Sequence, residues 1–137
     1  MNLVGKLLKA DVGKIDDCRE KKLYSKRLAH ILGQEKPAEI TIRELKPRRL
    51  NDFIAKQFDR KGNFEIEKSF DAKALTVAEG VVDPDLGDRQ LQEHFGCANK
   101  KDLAIKLFGN EITSISDAIV DLSGYKSEME MEEEIKN

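Results

Sequence analysis

The sequence predicts a mainly α domain of the α+β class, a compact helical domain with one or two short hairpin-like strands. Apolar residues recur at spacings of three and four through most of the chain, one segment alternates with a period of two, and glycine or proline separates these segments. A length of 137 residues fits one domain with a single core. We therefore expect a globular domain over residues 1–124, followed by an acidic tail over residues 125–137.

Composition places the chain among ordinary globular proteins. It is 36% charged and 39% hydrophobic, with a formal net charge of −2, outside the basic range that is typical of nucleic-acid binders. Cys18 and Cys97 are too few for a disulfide framework and are expected to be free thiols. The start of the chain does not resemble a signal peptide, and no apolar run approaches the roughly 18 residues of a membrane span. These observations predict a cytoplasmic protein.

The first predicted element is a short amphipathic helix near the amino terminus. Leu3, Val4, Leu7 and Leu8 form an apolar stripe at helical spacing. Such a short helix is marginal alone, so its stripe needs a partner. We expect it to dock on the domain, and a role as a handle for another protein is the alternative.

A second helix and a strand follow. Apolar residues from Tyr24 recur at helical spacing until Gly33, which predicts a helix with a glycine stop. Residues 38–44 alternate, with two isoleucines on one side, which predicts a half-buried strand. A strand needs a partner, and two segments could supply it: the chain around residues 21–25, if that is not helical, or residues 63–67, which also alternate.

Two longer helices come next. Pro47 suits the first turn of a helix whose apolar residues continue to Phe58 and which is expected to pack on the strand region. Ser69 is the candidate N-cap of the following helix, which extends to Val81 and is expected to be the central core helix. Pro84 then interrupts the pattern, because the residue before a proline disfavours the helical conformation.

Three short helices complete the predicted domain. Asp88 and Asn99 are candidate N-caps of the first two, Gly96 and Gly109 end them, and Asn110 begins the last. The residues expected to face the core are Leu91, Phe95, Leu103, Ala104, Leu107, Phe108, Ile112, Ile115, Ile119 and Leu122.

The sequence contains no recognisable catalytic or metal-binding constellation. His94 and Cys97 are spaced like half of a zinc site, but such a site needs four ligands, and His30 and Cys18 are isolated. The aspartates of residues 83–88 lack the final glutamate of a calcium loop, so turn and cap roles explain them better. The serines and glycines match neither a nucleophile elbow nor a phosphate-binding loop. We therefore predict no catalytic residue, no cofactor and no metal.

A basic segment supports a different function. Residues 19–50 hold ten lysines or arginines and four glutamates, and such a charge could face phosphates, as in a small nucleic-acid-binding regulatory protein. However, the two signs are interspersed, and Arg48 and Arg49 could equally pair with the acidic tail or with a partner's carboxylates. The last helix, residues 110–122, contains aspartates and no lysine or arginine, so phosphates would repel it. An enzyme with an unfamiliar site is the third alternative.

The acidic tail completes the chain. Residues 125–137 contain five glutamates and two lysines, a composition typical of disorder. Its methionines could still contact a partner. The predicted partner-binding residues are Arg48, Arg49, Glu130, Met131 and Glu132.

Three segments carry a family resemblance: LTVAEGVVDPDL at residues 75–86, HFG at 94–96 and LSGY at 122–125. With them, the chain resembles the tail assembly chaperones of contractile-tailed phages and of PBSX-like defective prophages, the XkdN-like family. The resemblance implies a non-enzymatic chaperone in the bacterial host cytoplasm that binds the tape measure protein and helps recruit tail tube subunits. It also allows self-association, and it implies neither membrane nor nucleic-acid binding.

Overall fold

The computed structural model describes residues 2–124, in which a small sheet lies beside a larger set of helices. The elements in chain order are α1 (Leu3–Leu8), a 3₁₀ helix (Val12–Asp16), β1 (Glu20–Ser25), α2 (Lys26–Leu32), β2 (Ala38–Arg43), α3 (Pro47–Ala55), α4 (Ile66–Gly80), β3 (Val81–Asp83), α5 (Arg89–His94), α6 (Lys100–Phe108), a second 3₁₀ helix (Gly109–Glu111) and α7 (Ile112–Leu122). The predicted α+β class is confirmed. The acidic tail lies outside the described residues, so its predicted disorder stays a prediction.

The three strands form an antiparallel sheet in the order β1, β2, β3. The central strand β2 buries its two isoleucines on one face, as its alternation predicts. It pairs with β1 from Glu20 opposite Arg43 to Ser25 opposite Ala38. Of the two candidate partners the segment before residue 26 is therefore correct. Residues 63–67 form no strand, and only an isolated bridge joins Phe64 to Phe58.

The second helix begins later than predicted. Tyr24 belongs to β1, and Ser25 is the N-cap of α2, where its side-chain oxygen accepts a hydrogen bond from the backbone N–H of Leu28 at 3.0 Å. The predicted stop is confirmed. Gly33 follows the helix with a φ of 72°, a left-handed conformation that glycine adopts without a Cβ clash.

The central helix starts and ends earlier than predicted. α4 begins at Ile66, whereas the predicted N-cap, Ser69, lies inside its first turn. It ends at Gly80, and Val81 begins β3, which pairs with Ile42 of β2. After the helix ends, the backbone groups of β3 no longer have partners within α4, and they pair with the edge of β2 instead. Periodicity along the chain does not reveal this tertiary pairing.

The last three helices follow the prediction closely. The Asp88 carboxylate and the Asn99 side chain each accept a hydrogen bond from the backbone N–H three residues later, at 3.0 and 2.9 Å, so both predicted N-caps are confirmed. α7 begins at Ile112 rather than Asn110, because residues 109–111 form a separate 3₁₀ turn.

The core lies where the helical layer meets the sheet. α4 packs against both α6 and α7, and α7 also contacts β1 and β2, which confirms α4 as the central helix. α3 packs mainly on α4, not on the strand region as predicted. The largest fully buried residues are Ile40, Ile42, Val77, Leu86, Leu103, Phe108, Ile112 and Ile119.

Candidate partner-binding surfaces

The first exposed apolar surface belongs to α1. We name its apolar side chains the N-terminal stripe: Leu3, Val4, Leu7 and Leu8. Asn2 caps the helix by accepting a hydrogen bond from the backbone N–H of Gly5 at 2.9 Å. The four side chains of the stripe are 64–82% exposed, so the prediction that this helix docks on its own domain is wrong. The core closes without it, because the first residue of the core cluster is Ile40.

A second exposed surface lies where α3 leads into α4. We name these side chains the aromatic patch: Phe58, Phe64, Ile66 and Phe70. They are 43–79% exposed, although Phe58 was expected on the side of α3 that packs on the strand region. The rings of Phe58 and Phe64 meet edge to face with centroids 5.8 Å apart, a favourable aromatic geometry. Phe58 and Phe64 thus form a paired aromatic surface within the patch.

The turn between Phe58 and Phe64 is held by one carboxylate. Asp59 accepts hydrogen bonds from the backbone N–H groups of Asn63 at 2.9 Å and Lys61 at 2.8 Å. The hydrogen bond from Asn63, aided by that from Lys61, holds the pKa of Asp59 below its usual value despite partial desolvation. Phe64 is therefore presented by an internally bonded turn.

A groove opens beside the aromatic patch. Its walls come from α3, α4 and α7, and we name it the three-helix groove. The small side chains of Ala72, Thr76 and Ser116 are buried along it, and the Thr76 hydroxyl donates to the backbone oxygen of Ala72 at 3.0 Å. Its volume of about 320 Å³ is enough for several side chains of a partner. Sequence analysis missed this groove because its walls are distant in sequence and meet only in the fold.

The predicted binding residues Arg48 and Arg49 lie in the first turn of α3. The Arg49 side chain contacts Glu79, with Nη2 3.0 Å from Oε1, and its guanidinium lies 4.8 Å from the ring centroid of Phe53. Arg48 is exposed and makes no side-chain hydrogen bond or ion pair within residues 2–124. The other predicted contacts, Glu130, Met131 and Glu132, lie outside the described residues.

Positively charged side chains surround Glu79 at the C-terminal end of α4. Besides Arg49, Lys100 approaches its carboxylate at 3.7 Å, and Arg43 donates to its backbone oxygen at 3.3 Å. Burial raises the pKa of Glu79, but the hydrogen bond from Arg49 and the charges of Lys100, Arg49 and Arg43 outweigh it and leave the pKa below its usual value. These arginines therefore have structural roles inside the domain.

Other parts of the basic segment are also paired internally. Arg19 contacts Glu44 at 3.0 Å, and Lys22 contacts Glu39 at 3.1 Å. Arg27 donates to the backbone oxygen of Lys106 at 2.9 Å. Such pairs lower the positive charge available to phosphates, and α7, the helix without lysine or arginine, packs its apolar face into the core. The geometry gives the nucleic-acid interpretation no added support.

The candidate ligand residues have structural roles. Asp85 accepts a hydrogen bond from the backbone N–H of Gly87 at 2.9 Å, and Asp88 caps α5, as the turn and cap interpretation predicts. The His94 ring packs edge to face on Phe95. Within residues 2–124, no three His, Cys, Asp or Glu side chains converge as metal ligands. No helix in that range is both long and apolar enough to cross a membrane.

Comparisons with known proteins connect this fold to a family. Residues 4–136 match the model of the phage XkdN-like tail assembly chaperone proteins. The crystal structure of the protein yqbn is similar, with a TM-score of 0.55 and 15% sequence identity over 85% of this chain and 98% of that chain, a likeness that supports the fold alone. A comparison with curated protein sequences finds no significant match. Because the family model covers nearly the whole sequence, the chain belongs to the family of XkdN-like phage tail assembly chaperones.

Proposed function

We propose that this chain is a non-enzymatic chaperone that binds the tape measure protein and helps recruit tail tube subunits in the bacterial host cytoplasm. The observation that carries the proposal is the family match over residues 4–136. The exposed apolar surfaces support it, because a chaperone must offer apolar contacts to an unassembled partner.

The physical task of such a chaperone is to keep a long helical chain soluble. Apolar stripes on an unassembled tape measure protein would associate with one another, since large exposed apolar patches promote aggregation. A small domain that is 36% charged can cover such a stripe and present a charged surface to water. Weak contacts repeated along the partner would allow release when tube subunits arrive.

We assign the tape measure contact to the aromatic patch. Large aromatic side chains dominate the binding energy of many interfaces, and an amphipathic helix recognises an apolar surface through side chains at helical spacing. Phe64 and Ile66 are more than half exposed, so they are available to a partner helix. Arg48, Arg49 and the tail residues Glu130, Met131 and Glu132 are proposed as additional contacts to the tape measure protein or the tube subunits.

The test is co-expression with the tape measure protein of the same gene cluster. We expect the tape measure protein to become soluble and to elute from gel filtration with several chaperone copies. A tape measure protein that stays insoluble, or that elutes alone, contradicts the proposal.

Two variants locate the contact. Phe64→Glu places a charge in the aromatic patch and is expected to reduce recovered complex at least about tenfold, as loss of a central aromatic contact does. Leu32→Glu is the matched control, because Leu32 is also an exposed apolar residue, 61% exposed, on a different element. Equal complex yields from the two variants would exclude the aromatic patch. Arg48→Glu and deletion of residues 126–137 test the remaining predicted contacts by the same assay and by capture of tube subunits.

A further inference from the structure

β1 forms an outer edge of the sheet. Within residues 2–124 it pairs with β2 alone. A backbone bond that extends this ladder joins the N–H of Glu44 to the oxygen of Arg19 at 2.9 Å. Backbone groups alternate in direction along an antiparallel strand, so every second residue after Arg19 bonds β2. The residues between them turn their N–H and C=O groups outward: Glu20, Lys22 and Tyr24. None of these outward groups has a hydrogen-bond partner in that part of the chain, and such an edge can accept a further strand.

The carboxyl end of the described chain lies at the start of this edge. The backbone oxygen of Leu122 accepts a hydrogen bond from Nη2 of Arg19 at 2.6 Å, and Arg19 directly precedes β1. The hydroxyl of Ser123 accepts one from the backbone N–H of Leu45, just beyond β2, at 2.9 Å. Thirteen residues follow Gly124. At about 3.3 Å per residue they can extend well beyond the six residues of β1.

The tail has the period of a strand. Residues 128–132 read EMEME, so an extended chain directs the glutamates to one face and the methionines to the other. Residues 125–137 contain no proline, the residue that interrupts strand pairing. The tail can therefore pair with an open edge.

We propose that residues 126–132 form a fourth strand, parallel to β1, on its open edge. The direction is parallel because the tail begins beside the first residue of β1. In this register Lys126 lies opposite Glu20 and Glu128 lies opposite Lys22, so both cross-strand pairs join opposite charges. Lys22 also contacts Glu39 at 3.1 Å, and its ammonium group has donors for both carboxylates.

The apolar side of the tail strand faces the domain. Met129 lies beside Leu23, which is partly buried against the core, and Met131 lies beside the buried Ser25. Glu130 is on the opposite face, beside Tyr24, which is 66% exposed. The predicted disorder of the tail then applies to residues 133–137 alone. A docked tail also protects the edge of β1 from pairing with other chains.

Amide hydrogen exchange, followed by NMR on the full chain, tests the docked tail. The N–H groups of Lys22 and Tyr24 donate to carbonyls of the tail strand, so they should exchange at least about tenfold more slowly than in a chain that lacks residues 126–137. The N–H groups of Lys21 and Leu23 bond β2 in both chains and serve as internal controls. No other protein is present, so the result is independent of tape measure binding.

Two proline variants test the register. In the proposed pair, Met129 directs its N–H toward β1 and Glu130 directs its N–H away from it. Met129→Pro removes one bond of the pair and should restore fast exchange of Lys22 and Tyr24. Glu130→Pro is the matched control, because an edge strand tolerates proline where the missing N–H faces solvent. Circular dichroism checks that both variants keep the folded domain.

Three outcomes contradict the proposal. Equal exchange of Lys22 and Tyr24 in the full and shortened chains shows that the tail leaves the edge open. Protection lost in both proline variants, or in neither, shows that residues 126–132 do not pair in this register. Protection that depends on protein concentration shows that a second copy covers the edge in place of the chain's own tail.

Discussion

Helices α1 and α7 carry similar apolar patterns and lie in opposite environments. α7 buries Ile112, Ile115 and Ile119 to 5% exposure or less, whereas the side chains of the N-terminal stripe are 64–82% exposed. The patterns do not explain this difference, because both helices place aliphatic side chains on one face. α4 and the sheet cover α7, and no described element covers α1. An amphipathic pattern thus shows that a face needs a partner, without identifying the molecule that provides it.

The largest expected effect separates these two helices directly. Ile119→Ala should lower the free energy of unfolding by about 2–5 kcal/mol, because it removes buried methyl groups and leaves a cavity among α4 and α7. Leu7→Ala, at an exposed position of α1, should change it by less than about 0.5 kcal/mol. Urea unfolding of both variants measures the contrast. Comparable losses would mean that α1 packs on the domain in solution.

A second prediction tests how closely α7 approaches α4. A Cβ added at Gly80 would lie 2.5 Å from Cδ1 of Ile119, a distance that packed side chains do not reach. Gly80→Ala should therefore destabilise the domain by about 1–3 kcal/mol through overpacking. Ile119→Val removes that methyl group, so the double variant should lose less than the sum of the two single losses. If the losses of unfolding free energy are strictly additive in urea melts, residues 80 and 119 do not interact sterically.

A third prediction concerns Glu111, which caps the start of α2 although it lies far from that helix in the sequence. Ser25 donates its hydroxyl proton to the Glu111 carboxylate, which also accepts a hydrogen bond from the backbone N–H of Lys26 at 3.1 Å at the start of α2. Glu111→Ala removes these acceptors and should cost about 1–2 kcal/mol in urea unfolding. Glu111→Gln retains one acceptor oxygen and should lose less. Glu93→Ala, at an exposed site on α5, is the control. If this variant loses as much free energy of unfolding as Glu111→Ala, Glu111 has no specific capping role.

Several features that neighbours along the chain determine were predicted correctly, although the N-cap Ser69 was not. The alternation of β2 depends on successive residues, and the N-caps Asp88 and Asn99 bond backbone groups three residues away. The same holds for the glycine that ends α2. Such local rules need no knowledge of the tertiary structure.

Features determined by distant residues were missed. β3 was missed, and its first residue, Val81, was assigned to the central helix, because the strand conformation depends on the edge of β2. The cap of α2 depends on Glu111, 85 positions after Lys26. The three-helix groove combines residues from three separate helices. The docking of α1 was predicted wrongly for the related reason that its partner is not among the described elements. The candidate surfaces therefore required the fold, whereas the family resemblance required only the motifs.

The smallest expected effect lies at Glu79, where charges border the buried contact of α4 with α7. Burial raises the pKa of Glu79, yet the hydrogen bond from Arg49 and the surrounding cations hold it below its usual value. An unfolded glutamate, with a pKa of about 4.3, binds a proton at pH values where the folded one does not. The stabilisation is therefore present above that pH and is lost as the pH falls through the folded pKa.

Glu79→Gln tests this linkage against the larger apolar effects. At pH 7 the variant should lose no more than about 1 kcal/mol of unfolding free energy, because the ion pairs are partly exposed. The loss should shrink as the pH falls through the lowered pKa of folded Glu79, since wild-type Glu79 then becomes protonated and both side chains are neutral. Urea melts between about pH 7 and pH 3 measure the difference, with the exposed Glu67→Gln as control. A difference that stays constant across this range would show that Glu79 acts through packing and that its charge contributes nothing to the stability of the core.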